Sequence, residues 1–205
     1  MRNFASDLKN STLKRNEIIL VALMALLNFT HILDFMIIMP LGNILMPKWS
    51  LTTSEFAIIV SSYSLSAFVS SFCAIFFADK FDRKKLLLFA YSGFLLGTFA
   101  CAFAFGTYSM ILARIVTGIF GGLISAQILS IIADVIPYER RGRAMGMLMG
   151  GFALASVIGV PFGLYLANTY DWHYPFLVVA IFGVLLLPFL FKFVPNVNSH
   201  LENPI

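Results

Sequence analysis

Charged residues are scarce in this sequence of 205 residues: they make up 12%, while 60% are hydrophobic. A soluble domain carries roughly a quarter charged residues, so an ordinary water-soluble fold is excluded. Cysteine is nearly absent. Cys73 and Cys101 both fall inside apolar stretches, and their spacing supports neither a metal site nor a disulfide framework. Alternating ten-residue segments are missing, which excludes a membrane β-barrel. There is no glycine-rich nucleotide loop, no cluster of metal ligands and no nucleophile–base pair at motif spacing, so the sequence reads as neither an enzyme nor a cofactor protein.

What the chain has is long apolar runs. Six are long enough to cross a hydrocarbon core, which takes roughly 20 residues of helix: Ile18–Leu45, Glu55–Ala78, Leu86–Phe105, Tyr108–Ile136, Ala144–Asn168 and Tyr174–Phe193. Backbone polar groups cannot be left unpaired in lipid, so each run is expected to be an α-helix, giving an all-α membrane protein built as a six-transmembrane-helix bundle. Residues 1–16 read as a cytoplasmic tail, 17–194 as the bundle, and 195–205 as a short cytoplasmic end and a truncation point. Thr52-Thr53-Ser54-Glu55 fits a capping box opening the second run, and Pro137 ends the fourth.

The net charge of +4 is topological and not a nucleic-acid footprint. Arg2, Lys9, Lys14 and Arg15 precede the first span; Lys80, Arg83, Lys84 and Lys85 follow the second; Arg140, Arg141 and Arg143 fill the loop after the fourth; Lys192 closes the sixth. The other set of loops holds only Lys48, so the positive-inside rule puts both termini in the cytoplasm.

Two charges lie well inside apolar runs: Asp34 in the first and Arg114 in the fourth. A charge at a helix centre costs about 2.5–3.5 kcal/mol on insertion scales, so such residues pair, line wet cavities or carry protons. At about 1.5 Å per residue, Asp34 sits about 24 Å above the cytoplasmic face and Arg114 about 9 Å below the outer one. In a core of roughly 30 Å these depths agree, so pairing is geometrically allowed. Asp34 then reads either as a proton acceptor controlled by Arg114 and by water, or as half of a structural ion pair. His31 reads either as a proton shuttle or as a hydrogen-bonding residue. Asn28, His31 and Phe35 share one face of span one; Thr117, Gly118, Gly121 and Ser125 share the face of Arg114; Ser62, Ser66 and Ser70 line span two. Asn28, Phe35, Thr117, Ser125, Ser62 and Ser66 are the candidate cavity-lining residues. Small residues at every fourth position of span five, Gly151, Ala155, Gly159, Gly163 and Ala167, form a smooth stripe, with Gly142, Gly146 and Gly150 a shorter second one. Pro161 is expected to bend that helix, so Gly159, Pro161 and Gly163 mark either bundle packing or a kinked gate.

Four segments resemble the major facilitator superfamily. Ala78-Asp79-Lys80-Phe81-Asp82-Arg83-Lys84-Lys85 is similar to its cytoplasmic loop motif, with Ile75 and Asp82 in place of two glycines. Arg114-Ile-Val-Thr-Gly118 resembles its span-four motif, with Thr117 where glutamine is usual. Ala155-Ser-Val-Ile-Gly159-Val-Pro161-Phe-Gly163 resembles its antiporter motif, and Asp34-Phe-Met-Ile-Ile-Met-Pro40-Leu the first span of the drug:proton antiporter branch. The resemblance covers residues 18–193. It implies the N-terminal half of a major facilitator fold, a 3+3 inverted repeat, acting in proton-coupled efflux of small drugs, sugars or similar metabolites across a bacterial inner membrane. A uniporter or symporter of the same fold, or an inactive remnant, is the alternative. It further implies a conformational charge relay of Asp79, Arg83 and Asp134, proton coupling through Arg114, and partners in lipid, protons, a small-molecule substrate and a second six-span half. The chain is then a fragment, a split-gene product or a half that pairs.

Overall fold

The computed structural model describes residues 13–195, with every side chain in that range except those of Phe77 and Asp79. Most of the tail expected at 1–16 and nearly all of the end expected at 195–205 lie outside the described residues. Seven α-helices are present among the described residues: α1 (Arg15–Lys48), α2 (Thr53–Phe77), α3 (Arg83–Ala102), α4 (Thr107–Val135), α5 (Tyr138–Leu154), α6 (Val160–Thr169) and α7 (His173–Phe193). A π turn at Ala155–Gly159 joins α5 to α6 as one continuous span, so six helices among the described residues are long and apolar enough to cross a membrane.

The ends of these helices follow from local chemistry. Thr52 Oγ1 accepts from the Glu55 amide at 3.2 Å while the Glu55 carboxylate accepts from the Thr52 amide at 2.8 Å, a reciprocal cap that starts α2. Asp82 caps α3 by accepting from the Lys85 amide at 3.0 Å. Its φ of −58° shows that this turn does not need the glycine that Asp82 replaces. Pro137 forces Ile136 into extended backbone, which stops α4. The fifth span starts at Tyr138 and not at Ala144, so Arg140, Arg141 and Arg143 belong to a helix rather than a loop. Arginine is a good helix former, and two of the three are anchored there. Arg140 donates to Glu17 at 3.0 and 3.2 Å, and Arg141 donates to the Ala133 and Ile136 carbonyls that α4 leaves open at its end.

The packing carries an internal symmetry. The principal neighbours are α2 with α4, α3 with α4, α3 with α7, α1 with α5 and α1 with α7. Exchanging spans one, two and three for four, five and six maps each of these pairs onto another or onto itself. That is the 3+3 repeat, visible in the contacts although the sequence shows no duplication.

Glycine sets the closest approaches. A Cβ at Gly118 would strike the Tyr63 carbonyl oxygen, and one at Gly122 the Ala67 carbonyl oxygen, so α2 lies backbone-on-backbone against α4. Ser70 and Ser71 add hydrogen bonds across the same seam, to the Ile119 and Gly122 carbonyls at 2.6 and 3.1 Å.

A buried ion pair beside an aromatic cleft

Asp34 and Arg114 meet inside the bundle. Arg114 Nη1 donates to Asp34 Oδ2 at 2.8 Å and to the Asp34 backbone oxygen at 3.2 Å, and both residues are 0% exposed. Among the described residues no other charged pair is so completely enclosed. The helices that carry them, α1 and α4, are the first of each three-helix repeat, so the contact joins the two repeats. Arg114 Nε and Nη2 have no hydrogen-bond partner. The guanidinium carbon instead stands 4.4 Å from the centre of the Tyr63 ring, where a desolvated cation–π contact contributes about 2 kcal/mol.

Next to this pair is a cleft of about 410 Å³ lined by His31, Phe35, Tyr63, Phe68 and Ser125 among others. Neither Asp34 nor Arg114 lines it. The Tyr63 hydroxyl and His31 Nε2 share a hydrogen bond of 2.8 Å, and the Phe35 ring lies 5.2 Å from that of Tyr63. Ser125 returns its hydroxyl to the Gly121 carbonyl at 3.2 Å. Of the residues expected to line a cavity, Phe35 and Ser125 are therefore found at this cleft, with His31 beside them.

The other four are elsewhere. Thr117 is fully buried between α3 and α4, where it donates to Ala113 O and meets Cys101 Sγ at 3.7 Å. Asn28 points at the fifth span and donates to Leu148 O at 3.4 Å. Ser62 and Ser66 line a separate groove of about 820 Å³ between α2 and α4, walled by Ile58, Leu65, Val69 and Ile115. Their hydroxyls donate back to the Ile59 and Tyr63 carbonyls, so this groove is apolar despite its serines.

At the other end of α4, Arg83 Nε donates to Asp134 Oδ2 at 3.1 Å, fastening the start of α3 to the end of α4. The Asp79 side chain lies outside the described residues. In the fifth span the deformation attributed to Pro161 takes the form of the π turn. Proline has no N–H to close the preceding turn, and the Val160 amide donates to Ala155 O, five residues back. Gly159 and Gly163 face Leu33 and Ile37 of α1, and Gly151 faces the Ala25 carbonyl, so this stripe is spent on packing inside the chain. Gly142, Gly146 and Gly150 meet open space.

Tyr63, which lies between the pair and the cleft, is not among the candidate residues read from the sequence. A tyrosine in mid-span requires a partner for its hydroxyl, and the polar stripe of span one was there to supply it. Arg141 as a cap on α4, and Lys48 paired with Asp171 at 3.1 Å, were equally unread.

Sequence comparison decides the family: the profile of the Major Facilitator Superfamily matches residues 24–205. The chain belongs to that superfamily. It is a multi-pass membrane protein of a family of transporters, not of enzymes. It is 28% identical over 165 residues to the uncharacterized MFS-type transporter YceJ of Bacillus subtilis, covering 80% of this chain and 42% of that one. With multidrug resistance protein 3 of the same organism it shares 29% identity over 165 residues, covering 80% and 32%. The inward-open xylose transporter XylE of E. coli superimposes with a TM-score of 0.74 over 91% of this chain and 49% of that one, at 19% identity, which establishes the fold alone. The chain spans less than half the length of these relatives.

Proposed function

We propose that this superfamily chain forms one half of a proton-coupled efflux transporter of the drug- or sugar:proton antiporter branch. It would work by alternating access with a second six-span half, in a bacterial inner membrane with both termini cytoplasmic. The observation that carries this reading is the enclosed Asp34–Arg114 contact at 2.8 Å, which bridges the two repeats beside a cleft. A proton added to Asp34 cancels the carboxylate charge that holds Arg114, leaving a buried guanidinium that must find water or another partner. Proton uptake and hydration of the site are thereby linked, and a rearrangement of α1 against α4 answers both. Small drugs, sugars or similar metabolites are the substrate class, supported by the multidrug resistance relative and by the aromatic and hydroxyl lining of the cleft. Asp79, Arg83 and Asp134 act as the cytoplasmic charge relay, and Gly159, Pro161 and Gly163, at the π turn, as the gate.

The enclosure of the pair also favours a second reading, in which it only joins two helices and the protein is a uniporter or symporter. Efflux of ethidium driven by an imposed pH gradient, followed in inverted membrane vesicles, separates them. Asp34→Asn is expected to abolish the dependence on the gradient. Coupling that survives this replacement rejects the proton role, and transport indifferent to the gradient in the unmodified protein rejects antiport.

A further inference from the structure

We infer that Tyr63 is a gating residue: its ring is the partition between the aromatic cleft and the Asp34–Arg114 pair, and its hydrogen bond to His31 keeps the partition closed. This rests on the reading of that pair as the proton site and adds how access to it is controlled. Tyr63 lines the cleft and also lies against the buried guanidinium, whose carbon is 4.4 Å from its ring centre. With its side chain in place, neither charged residue borders the cleft.

The local design fits a side chain that swings while its backbone stays fixed. The Tyr63 carbonyl is pressed against Gly118 and the Ala67 carbonyl against Gly122, so α2 cannot draw away from α4 without losing their closest contact. The ring itself is held at its tip. Its hydroxyl meets His31 Nε2 at 2.8 Å, and Gly121 of α4 makes room for that bond: a Cβ there would come within 2.6 Å of the hydroxyl and 2.8 Å of the imidazole nitrogen. His31 Nδ1 has no partner, so the imidazole is anchored through Tyr63.

Opening has a driving force built in. Arg114 Nε and Nη2 lack hydrogen-bond acceptors, and moving the ring aside would expose them to water from the cleft. A solute bearing a hydroxyl or carbonyl group that competes for His31 or for the Tyr63 hydroxyl would release the latch from the cleft side. Occupancy of the cleft would thus hydrate the pair without the solute touching either charge.

The test reads water access directly. Arg114 is the one arginine with complete burial among the described residues, so its guanidinium should be the slowly deuterating component of the arginine infrared bands when the protein in lipid nanodiscs is moved to D2O. Loss of that component in Arg114→Lys assigns it. Tyr63→Leu keeps an apolar side chain but removes the aromatic face and the hydroxyl, and should speed the exchange by about tenfold or more, the shift expected from losing a desolvated cation–π contact. Tyr63→Phe keeps the ring and loses the latch, and should speed it by about threefold, as should Gly121→Ala, which pries hydroxyl and imidazole apart from α4. Exchange unchanged in folded Tyr63→Leu overturns the gate, and so does Tyr63→Phe exchanging as fast as Tyr63→Leu. Should Tyr63→Leu fail to fold, unchanged exchange in both Tyr63→Phe and Gly121→Ala overturns it. Because exchange is measured without transport, a gate that behaves as described while coupling survives Asp34→Asn rejects the proton site and leaves the gate standing.

Discussion

At the scale of single residues, the enclosure of Asp34 with Arg114 decides what each is worth to the folded protein. Neither charge is tolerable alone at 0% exposure, because the energy that holds it is the presence of the other. Arg114→Leu is accordingly expected to lower stability by about 3–5 kcal/mol, while Asp34→Leu combined with Arg114→Leu should cost much less than the two single replacements added together. Thermal unfolding of the three variants in detergent measures this cycle. Additive losses would mean that the two side chains do not rely on each other, contrary to their 2.8 Å contact. The same logic explains Thr117 and Ser66: each returns its hydroxyl to a carbonyl of its own helix, so a polar residue in a span need not mark a wet surface.

At the scale of the helix, glycine has two meanings in one fold. Gly122 sits where the α2 backbone leaves no space, whereas Gly150 faces nothing within 4 Å. A methyl group at position 122 must push against the Ala67 carbonyl, and a backbone cannot rotate out of the way. Gly122→Ala should therefore destabilise the protein by about 1–3 kcal/mol. Gly150→Ala should be neutral or stabilising by up to about 1 kcal/mol, because alanine is the better helix former. Unfolding midpoints in detergent distinguish the two, and equal effects would argue that the α2–α4 seam is not the tight contact described. The π turn before Pro161 is a second lesson at this scale. The fifth span absorbs a missing N–H by widening one turn, and keeps its small-residue face against α1 on both sides of it.

At the scale of the whole molecule, the end of the bundle opposite the Arg83–Asp134 contact is closed by a clasp. Lys48 at the end of α1 donates to Asp171 at 3.1 Å, His173 Nε2 lies 3.5 Å from the same carboxylate, and the other nitrogen of His173 is bonded to the Ala102 carbonyl at the end of α3. Trp49 meets Trp172 edge-on at 5.2 Å beneath it. Slight burial raises the Asp171 carboxyl, but Lys48 and His173 outweigh it and hold it below the usual carboxylate range. A carboxylate whose pKa is depressed in the folded state contributes stability above its unfolded pKa, and loses that contribution as the pH falls through its folded value. The stability difference between the unmodified protein and Asp171→Asn should thus be largest near neutral pH and shrink as the pH falls below the usual carboxylate range and through the lowered folded value. A difference that stays constant across that range, in unfolding temperatures measured stepwise, would show that the clasp does not depend on the charge of Asp171.

The span count followed from hydropathy and from the cost of an unpaired backbone in lipid, both properties of the chain read one segment at a time. The two intramembrane charges were equally plain, since Asp34 and Arg114 stand out against apolar neighbours wherever the helices lie. What periodicity could not give was azimuth. Thr117, Asn28, Ser62 and Ser66 were on polar stripes, yet which stripe faced the cleft depended on how α2 and α3 close around α4, and that is set by the glycines that let backbones touch. Tyr63 went unread for the same reason: its role exists only because α1, α2 and α4 bring His31, its ring and Arg114 to one place. The sequence by itself determined that this chain carries six membrane-spanning helical runs with an acid and a base inside them, because transfer from water to lipid acts on each residue independently. Only the tertiary structure decided which side chains share a space, because contact between helices is a property of their packing and not of any one of them.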